Sequence, residues 1–414
     1  MEDDPAAAAA AAAGITDAVI ANLVDKGKEL SKGRKKRPIP ATLAAAADVA
    51  TYVSTSSGSP HATKSPGLLC VDLCPSNDSV TVSGGNDKEA VLFDHAKGQV
   101  LRTLAGHGKK VTTAVFHPEF GGGKALVLTG SADKTVKLWS TGADFSGDAC
   151  STVSALQATV RATVPATVRP CGCACARACA ALPRTAGQYS RLPVHPLGAP
   201  SVPWTLSCCT PLQVGGFGGE VTGLSVHPTG DYAAASSKDG TWSFLSLPYA
   251  SNLATVSGSD GGYGACCFHP DGLLLGLAAG NAAEIWDVKT QGKIHSFEGH
   301  GGPIAALDFS ENGYLMASTS AEGTVKLWDL RKLKNLHTLE LPGAGLAVKF
   351  DHSGTFLGVG CAGGAAVVHA VKEWQPVGSL KGHSKDVTGL VFSKDATRIA
   401  TASLDRTVQL WGKP

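Results

Sequence analysis

Histidine, serine and an acid recur together in this chain with a tryptophan close behind, and these are the residue types to test first for chemistry. The sets are His107, Ser131, Asp133 and Trp139; His300, Ser320, Glu322 and Trp328; and His383, Ser403, Asp405 and Trp411. A serine hydroxyl beside a histidine oriented by a carboxylate is the constellation of nucleophilic hydrolysis. A hydrolase needs it once per active site, whereas here it returns three times with the acid always six residues ahead of the tryptophan. That recurrence assigns the set to the fold. In this reading the acid orients His, His meets the Ser hydroxyl and Ser meets the indole N–H, a buried chain that is tolerable because each polar atom finds a partner. No catalytic residue is expected. The sequence also holds no G-x-x-x-x-G-K-[ST] phosphate loop, G-x-S-x-G elbow or H-E-x-x-H helix, and neither a cofactor nor a metal site is predicted.

The elements that must position these residues are clearest in the last unit, Gly382 to Gly412, which reads GHSKDVTGLVFSKDATRIATASLDRTVQLWG. A Gly-His leads two short β-rich runs; the acid then turns the chain tightly, and a third run of alternating burial closes on the tryptophan. Gly106-His107 and Gly299-His300 open earlier copies. A second marker near the end of each unit's first strand (His227, His269, Ser310, His352, Ser393) falls at gaps of 42, 41, 42 and 41. A period near 40 to 45 with Gly-His and Trp-Asp marks is the signature of a β-propeller with four strands per blade. Cys74-Pro75 and His117-Pro118 add two blades, and the 110 residues from His117 to His227 imply one insertion of roughly 68 residues. The fold expected is all-β: a seven-bladed WD-repeat propeller over 66–412, with a short N-terminal helix and a disordered insertion, 143–212, between blades two and three. Blade spans of 66–105, 106–141, 213–250, 253–293, 295–335, 336–376 and 378–412 follow. Blades three, four and six are worn: Leu245 stands where a Trp belongs, the turn before Trp286-Asp287 is short, and blade six has neither acid nor Trp.

Composition narrows the partners. With 414 residues, 43% hydrophobic and 17% charged, the chain can bury a large core, and its 50 glycines suit tight turns. A formal net charge of +2 argues against a broad nucleic-acid-binding field, so no direct nucleic-acid contact is predicted. The start is acidic (Glu2, Asp3, Asp4) and no uncharged apolar run reaches the ~18 residues of a spanning helix, so no membrane is predicted. Residues 1–13 read as a low-complexity tail and 14–31 as a short helix with apolar Ile15, Val19, Ile20, Leu23 and Val24. Residues 32–65 read as a basic, then Ala/Ser-rich, linker. Its run Lys32, Arg34, Lys35, Lys36 and Arg37 is either a nuclear-localisation or acidic-partner patch or a solvated linker. Within that linker, residues 51–54 are placed to close the ring as an outer strand of the last blade.

Twelve cysteines divide into two groups. Seven, Cys150, Cys171, Cys173, Cys175, Cys179, Cys208 and Cys209, lie in or beside the insertion, but the C-x-C-x-C spacing of the crowded four from Cys171 to Cys179 lacks the paired C-x(2–4)-C of a structural zinc module. Cys70, Cys74, Cys266, Cys267 and Cys361 sit in predicted strands as small buried hydrophobes, which fits a reducing compartment.

Three stretches go beyond a generic propeller: residues 14–42 (GITDAVIANLVDKGKELSKGRKKRPIPAT), 66–75 (PGLLCVDLCP) and 310–335 (SENGYLMASTSAEGTVKLWDLRKLKN). Together they resemble the C-terminal two-thirds of the pre-mRNA-processing factor 19 family, over nearly everything from Gly14 onward except the insertion, which the family pattern lacks. The resemblance implies a nuclear, tetrameric U-box ubiquitin ligase that scaffolds spliceosome activation and acts in DNA repair, its propeller binding spliceosomal proteins and ubiquitination substrates. Nothing before Gly14 matches a U-box, and no heptad run is long enough for the tetramer coil. No ligase residue is therefore carried over, and a homotetramer is not expected from this chain alone. The expectation is the substrate- and partner-binding part of such a ligase; the alternative is a stand-alone, non-enzymatic WD-repeat scaffold. Loop residues beside the Gly-His turns, Lys109, Lys110, Lys385 and Asp386, are candidates for partner contact.

Overall fold

Six-residue runs in which apolar and small polar residues alternate, separated by turns built on Asp, Gly and Thr, fold here into antiparallel strands. The computed structural model describes residues 15–35, 40–61, 67–118, 126–141, 212–214 and 216–414. Within them lie seven four-stranded sheets. From inner to outer strand, blade one runs from Leu68–Cys74 to Gln99–Ala105, blade two from Val111–Phe116 to Leu212–Val214, and blade three from Val221–Val226 to Ser251–Ser257. Blade four runs from Tyr263–Phe268 to Gly292–Phe297, blade five from Ile304–Phe309 to Lys334–Glu340, and blade six from Gly345–Phe350 to Pro376–Lys381. Blade seven begins at Val387–Phe392, and its outer strand is Val53–Gly58 from the other end of the chain. The inner strands touch one another in a closed cycle, blade seven against blade one included, which makes the molecule a seven-bladed propeller.

The turn that the sequence marks with an acid has a common geometry. Asp405 Oδ1 accepts the Thr407 N–H at 2.9 Å and the Thr407 hydroxyl at 2.6 Å. The residue between them must then adopt a left-handed conformation: Arg406 has φ 75°, Lys134 70° and Gly323 84°.

Three boundaries differ from the sequence reading. The spans 213–250, 253–293, 295–335, 336–376 and 378–412 each open on the outer strand of the preceding sheet, because the sequence repeat and the sheet are offset by one strand. The blade-six marker is Asp351, which directly follows the inner strand as Ser310 and Ser393 do, and not His352. The ring-closing strand is Val53–Gly58, paired antiparallel with Val408–Gly412, and so runs four residues past the expected 51–54. Of the insertion expected at 143–212, all but Leu212 lies outside the described residues. Leu212–Val214 pairs with the third strand of blade two, Thr135–Ser140, so the insertion is spliced into the rim of that blade just ahead of blade three.

Two helices precede the propeller. α1, Asp17–Lys35, runs four residues past the expected end into the basic stretch, and α2 is a single turn, Ala46–Val49, buried against blade six and seven residues such as Leu380 and Ile399. The segment read as a linker from 32 to 65 therefore contains the end of one helix, a second helix and a propeller strand.

Candidate functional site

In blade seven the polar side chains form a closed circuit. His383 Nδ1 lies 3.0 Å from Asp405 Oδ2, His383 Nε2 lies 2.8 Å from Thr401 Oγ1, and Trp411 Nε1 donates to the same Thr401 oxygen at 2.8 Å. An indole N–H can only donate, so Thr401 accepts from Trp411; the Asp405 carboxylate can only accept, so His383 Nδ1 is the protonated nitrogen and, in a neutral ring, Nε2 accepts from the Thr401 hydroxyl. Burial lowers the His383 pKa, with the charge of Asp405 opposing, in keeping with a neutral ring. Burial works against the Asp405 carboxylate as well, but hydrogen bonds led by Thr407 and the Ser384 N–H outweigh it and lower its pKa.

Blades two and five repeat the arrangement. His107 bridges Asp133 (2.9 Å) and Thr129 (2.7 Å), and Trp139 donates to Thr129 at 2.7 Å. His300 bridges Glu322 (2.7 Å) and Ser318 (2.8 Å), and Trp328 donates to Ser318 at 2.8 Å. The Thr324 hydroxyl is the leading cause of a Glu322 pKa lowered to about 2.

The hydroxyl in each circuit corrects the sequence reading, which placed Ser131, Ser320 and Ser403 there. The group that joins His to Trp sits two residues earlier on the same strand. Ser131, Ser320 and Ser403 instead donate to loop carbonyls, those of Lys110 (2.8 Å), Pro303 (3.0 Å) and Lys385 (3.0 Å). Side chains two apart share a strand face, so both hydroxyls face the right way, and reach decides between them: the one beside the turn is too far along the strand to meet the indole. A fourth histidine went unread. His61 pairs through Nδ1 with Asp87 and through Nε2 with Ser83 at 3.0 Å, in blade one, where Phe93 replaces the Trp. It follows Ser-Pro and not Gly, but its distances of 22 residues to Ser83 and 26 to Asp87 equal those from His107 to Thr129 and Asp133.

None of these sets is open for catalysis. The histidines are buried, the hydroxyl in each of the three Trp-bearing circuits is held by both His and Trp, and the set recurs in separate blades. The strand cysteines are free, and burial raises the pKa of four of them, Cys70 and Cys266 to about 12, Cys361 to about 11, and Cys267 likewise upward, so none of these four is an activated thiolate. Cys171, Cys173, Cys175 and Cys179 lie outside the described residues.

A second set of polar contacts joins neighbouring blades. The residues two before each marker are Asp72, Val115, Ser225, Cys267, Asp308, Lys349 and Val391 in blades one to seven, and Val115, Ser225, Cys267, Asp308 and Lys349 line one cavity. Asp72 accepts the Phe116 N–H of blade two at 2.8 Å, Ser225 the Phe268 N–H of blade four at 3.0 Å, and Asp308 the Phe350 N–H of blade six at 2.8 Å. Odd-numbered blades thus clasp their even-numbered successors. Asp308 also takes the Lys349 ammonium at 2.7 Å and the Cys267 thiol at 3.2 Å. Burial raises Asp72 to about 6, against the Phe116 N–H, which favours the anion.

The propeller has two unlike faces. One carries the Gly-His loops and acid turns, and Lys109 and Lys385 stand exposed there. Lys110 is half-buried, its Nζ 3.8 Å from Glu220, and Asp386 caps the Gly363 N–H at 3.0 Å, so these two are already engaged. The opposite face carries the turns that follow the inner strands, and α1 lies across it. Ile15 and Leu23 are buried with Tyr232, while Val19, Ile20 and Leu273 pack at the margin. Lys26 pairs with Asp231 at 2.6 Å and Arg34 with Asp271 at 2.5 Å. Arg34 therefore does not belong to a free basic patch: its side chain is only 15% exposed. Lys32 is exposed, the Lys35 side chain, Lys36 and Arg37 lie outside the described residues, and a cavity of about 1120 Å³ separates α1 residues Lys26, Leu30 and Arg34 from Phe268, Asp308 and Lys349.

The repeat family described as WD domain, G-beta repeat matches residues 98–140, 209–244, 291–329 and 374–412. Three of these four segments carry a complete circuit, and each starts at the outer strand of the preceding blade. Pre-mRNA-processing factor 19 of Oryza sativa subsp. japonica is 36% identical over 412 residues, which is 97% of this chain and 65% of that protein. Pre-mRNA-processing factor 19 homolog 2 of Arabidopsis thaliana is also 36% identical, over 411 residues with the same coverage. Pre-mRNA-processing factor 19 of Caenorhabditis elegans is 33% identical over 407 residues, 96% of this chain and 68% of that protein. The chain spans about two-thirds of the length of these relatives.

Proposed function

The chain belongs to the pre-mRNA-processing factor 19 family, and from that premise we propose that it is the substrate- and partner-binding part of a nuclear ubiquitin-protein ligase that scaffolds spliceosome activation and DNA repair. The observation that carries this reading is the reach of the likeness, which runs through α1, the ring-closing strand and the blades and is not confined to the common repeat. Among the described residues the repeated His, acid and hydroxyl sets are taken up in structural circuits, which suits a platform for spliceosomal proteins and ubiquitination substrates. The basic residues from Lys32 onward serve nuclear import in this reading.

An affinity-tagged chain expressed in cells should enter the nucleus and co-purify with spliceosomal small nuclear ribonucleoproteins. Recovery of a folded chain without them would remove the splicing assignment. The second reading, a scaffold that works without ligase activity, is favoured by the structural use of every Ser-His-acid set. Incubation with ubiquitin, activating enzyme and conjugating enzyme separates the two. Ubiquitin chains formed only when the chain is joined to a family U-box and coiled coil support the ligase reading; splicing activity restored by the chain in their absence supports the scaffold.

A further inference from the structure

The geometry points to the trough across the turns of blades three and four as a helix-binding site, with α1 as its resident in cis and a basic amphipathic helix of a partner protein as its ligand in trans. The trough is preformed. Its floor, Tyr232 and Leu273, belongs to blade strands and turns, and Tyr232 is locked by stacking on Phe244 with ring centroids 5.1 Å apart. Its rim supplies two carboxylates, Asp231 and Asp271, on successive blades, each holding one cation of α1.

Between the two ion pairs the helix comes close enough to admit no side chain freely. A Cβ at Gly27 would meet the Asp271 carbonyl oxygen at 3.1 Å and Leu273 Cγ at 3.2 Å. Glycine within a helix is unfavourable, so its place at the contact point marks a notch that the trough reads. The recognised pattern is therefore an apolar stripe at the positions of Val19, Ile20 and Leu23, a cation, a small residue, and a second cation seven further on. Charge complementarity selects a basic helix.

The two clasps differ in strength: Lys26–Asp231, with side chains 37% and 26% exposed, contributes little, while Arg34–Asp271, at 15% and 24%, is better covered, so the Lys26 end of the helix is the more easily released. Tethering nonetheless gives α1 an effective concentration on the order of millimolar, so a partner helix at micromolar concentration displaces it only when α1 is weakened or the partner fits better. This assignment stands independently of any role in splicing.

The test uses the full chain and a fluorescent peptide of residues 14–35 as the probe. Gly27→Leu in the chain should undock α1 and raise probe affinity at least ~10-fold over the unaltered chain, whose own helix competes. Asp271→Arg added to that variant should return the affinity to the starting level, and a probe carrying Gly27→Leu should not bind. Equal probe binding by unaltered and Gly27→Leu chains, or binding by neither, with both folded by circular dichroism, would overturn the proposal. If Gly27→Leu misfolds, Lys26→Glu with Arg34→Glu undocks α1 by charge reversal and carries the same expectations. A dimer of the unaltered chain that Asp271→Arg dissolves would make a second copy the ligand and overturn the partner assignment.

Discussion

Blade seven and blade three solve one packing problem in opposite ways. Under the loop that leads into blade seven sit His383, Thr401 and Trp411, three polar groups that satisfy one another. The corresponding places in blade three are held by Phe217, Ala235 and Leu245, which pack together in a single apolar cluster with no hydrogen bond to make. The acid survives in both, because Asp239, like Asp405, still fixes its turn through Thr241. What the fold requires is a buried position with nothing left over, and either a complete circuit or a complete absence of one meets it. Trouble arises in between. Trp242 Nε1 in blade three and His369 Nδ1 in blade six are buried without partners, whereas blade four rescues Trp286 with the Glu284 carboxylate at 2.9 Å.

Acid is the strongest way to tell the two arrangements apart, because the blade-seven circuit holds a titratable ring and the Phe217–Ala235–Leu245 cluster does not. The pKa values of His95, His227 and His369 are lowered to about 4, by burial first of all, and those of His107, His269, His300 and His383 are lowered too. A histidine depressed in the folded state contributes stability that is present above its unfolded pKa near 6.5 and is lost as pH falls through that value toward the folded one. Asp72, raised to about 6, acts in the other sense and recovers part of the loss. Denaturant titrations at pH 7 and pH 5 should therefore differ by roughly several kcal/mol, with the protein weaker at pH 5. Equal midpoints would contradict the burial of neutral rings.

Breaking one circuit costs less. Asp405→Ala removes the acceptor shared by His383 Nδ1, the Ser384 N–H and the Thr407 N–H and leaves His383 Nδ1 only the Thr407 hydroxyl, 3.1 Å away; it should lower stability by about 2–3 kcal/mol, read as a drop in melting temperature, and an unchanged melt would mean that the circuit is dispensable. Thr401→Val strands both His383 Nε2 and Trp411 Nε1 at an expected ~2 kcal/mol, and Ser403→Ala removes only one bond to a loop carbonyl at ~1 kcal/mol. The reverse order would return the bridging role to the serine. The smallest effect has the opposite sign. His369→Leu removes a buried ring with an unpartnered nitrogen and should stabilise blade six by ~1 kcal/mol, while also reducing the acid sensitivity.

The parts of this molecule legible in its sequence are those set by residues near one another. Period, turn and the acid-to-tryptophan spacing all lie within one hairpin, and they were enough to place seven blades and to find the strand that closes them. Thr401 was not separable from Ser403, because the two share a face and only the depth of the indole decides. His61 lost its Gly-His mark but kept its spacing to Ser83 and Asp87, a signal that was there to be used. The outer strand of blade two was hidden by the insertion ahead of it, although Gly216-Phe217 keeps the register of Gly382-His383. The seat of α1 was not legible at all: Asp231 and Asp271 lie more than 200 residues from their partners, and the one local hint is a glycine in mid-helix.

The shared construction of blade seven also sets an order of events during synthesis. Thr55 bonds a carbonyl at Leu410, 355 residues later in the chain. The strand that contains it leaves the ribosome early and waits, with a free edge, through the making of every other blade. An unpaired strand of this kind pairs readily with neighbours, yet Val53–Gly58 reads VSTSSG, short and almost wholly polar, a composition suited to remaining in water until Gly412 arrives. A chain without Val408–Gly412 would leave that strand unpaired and the ring open.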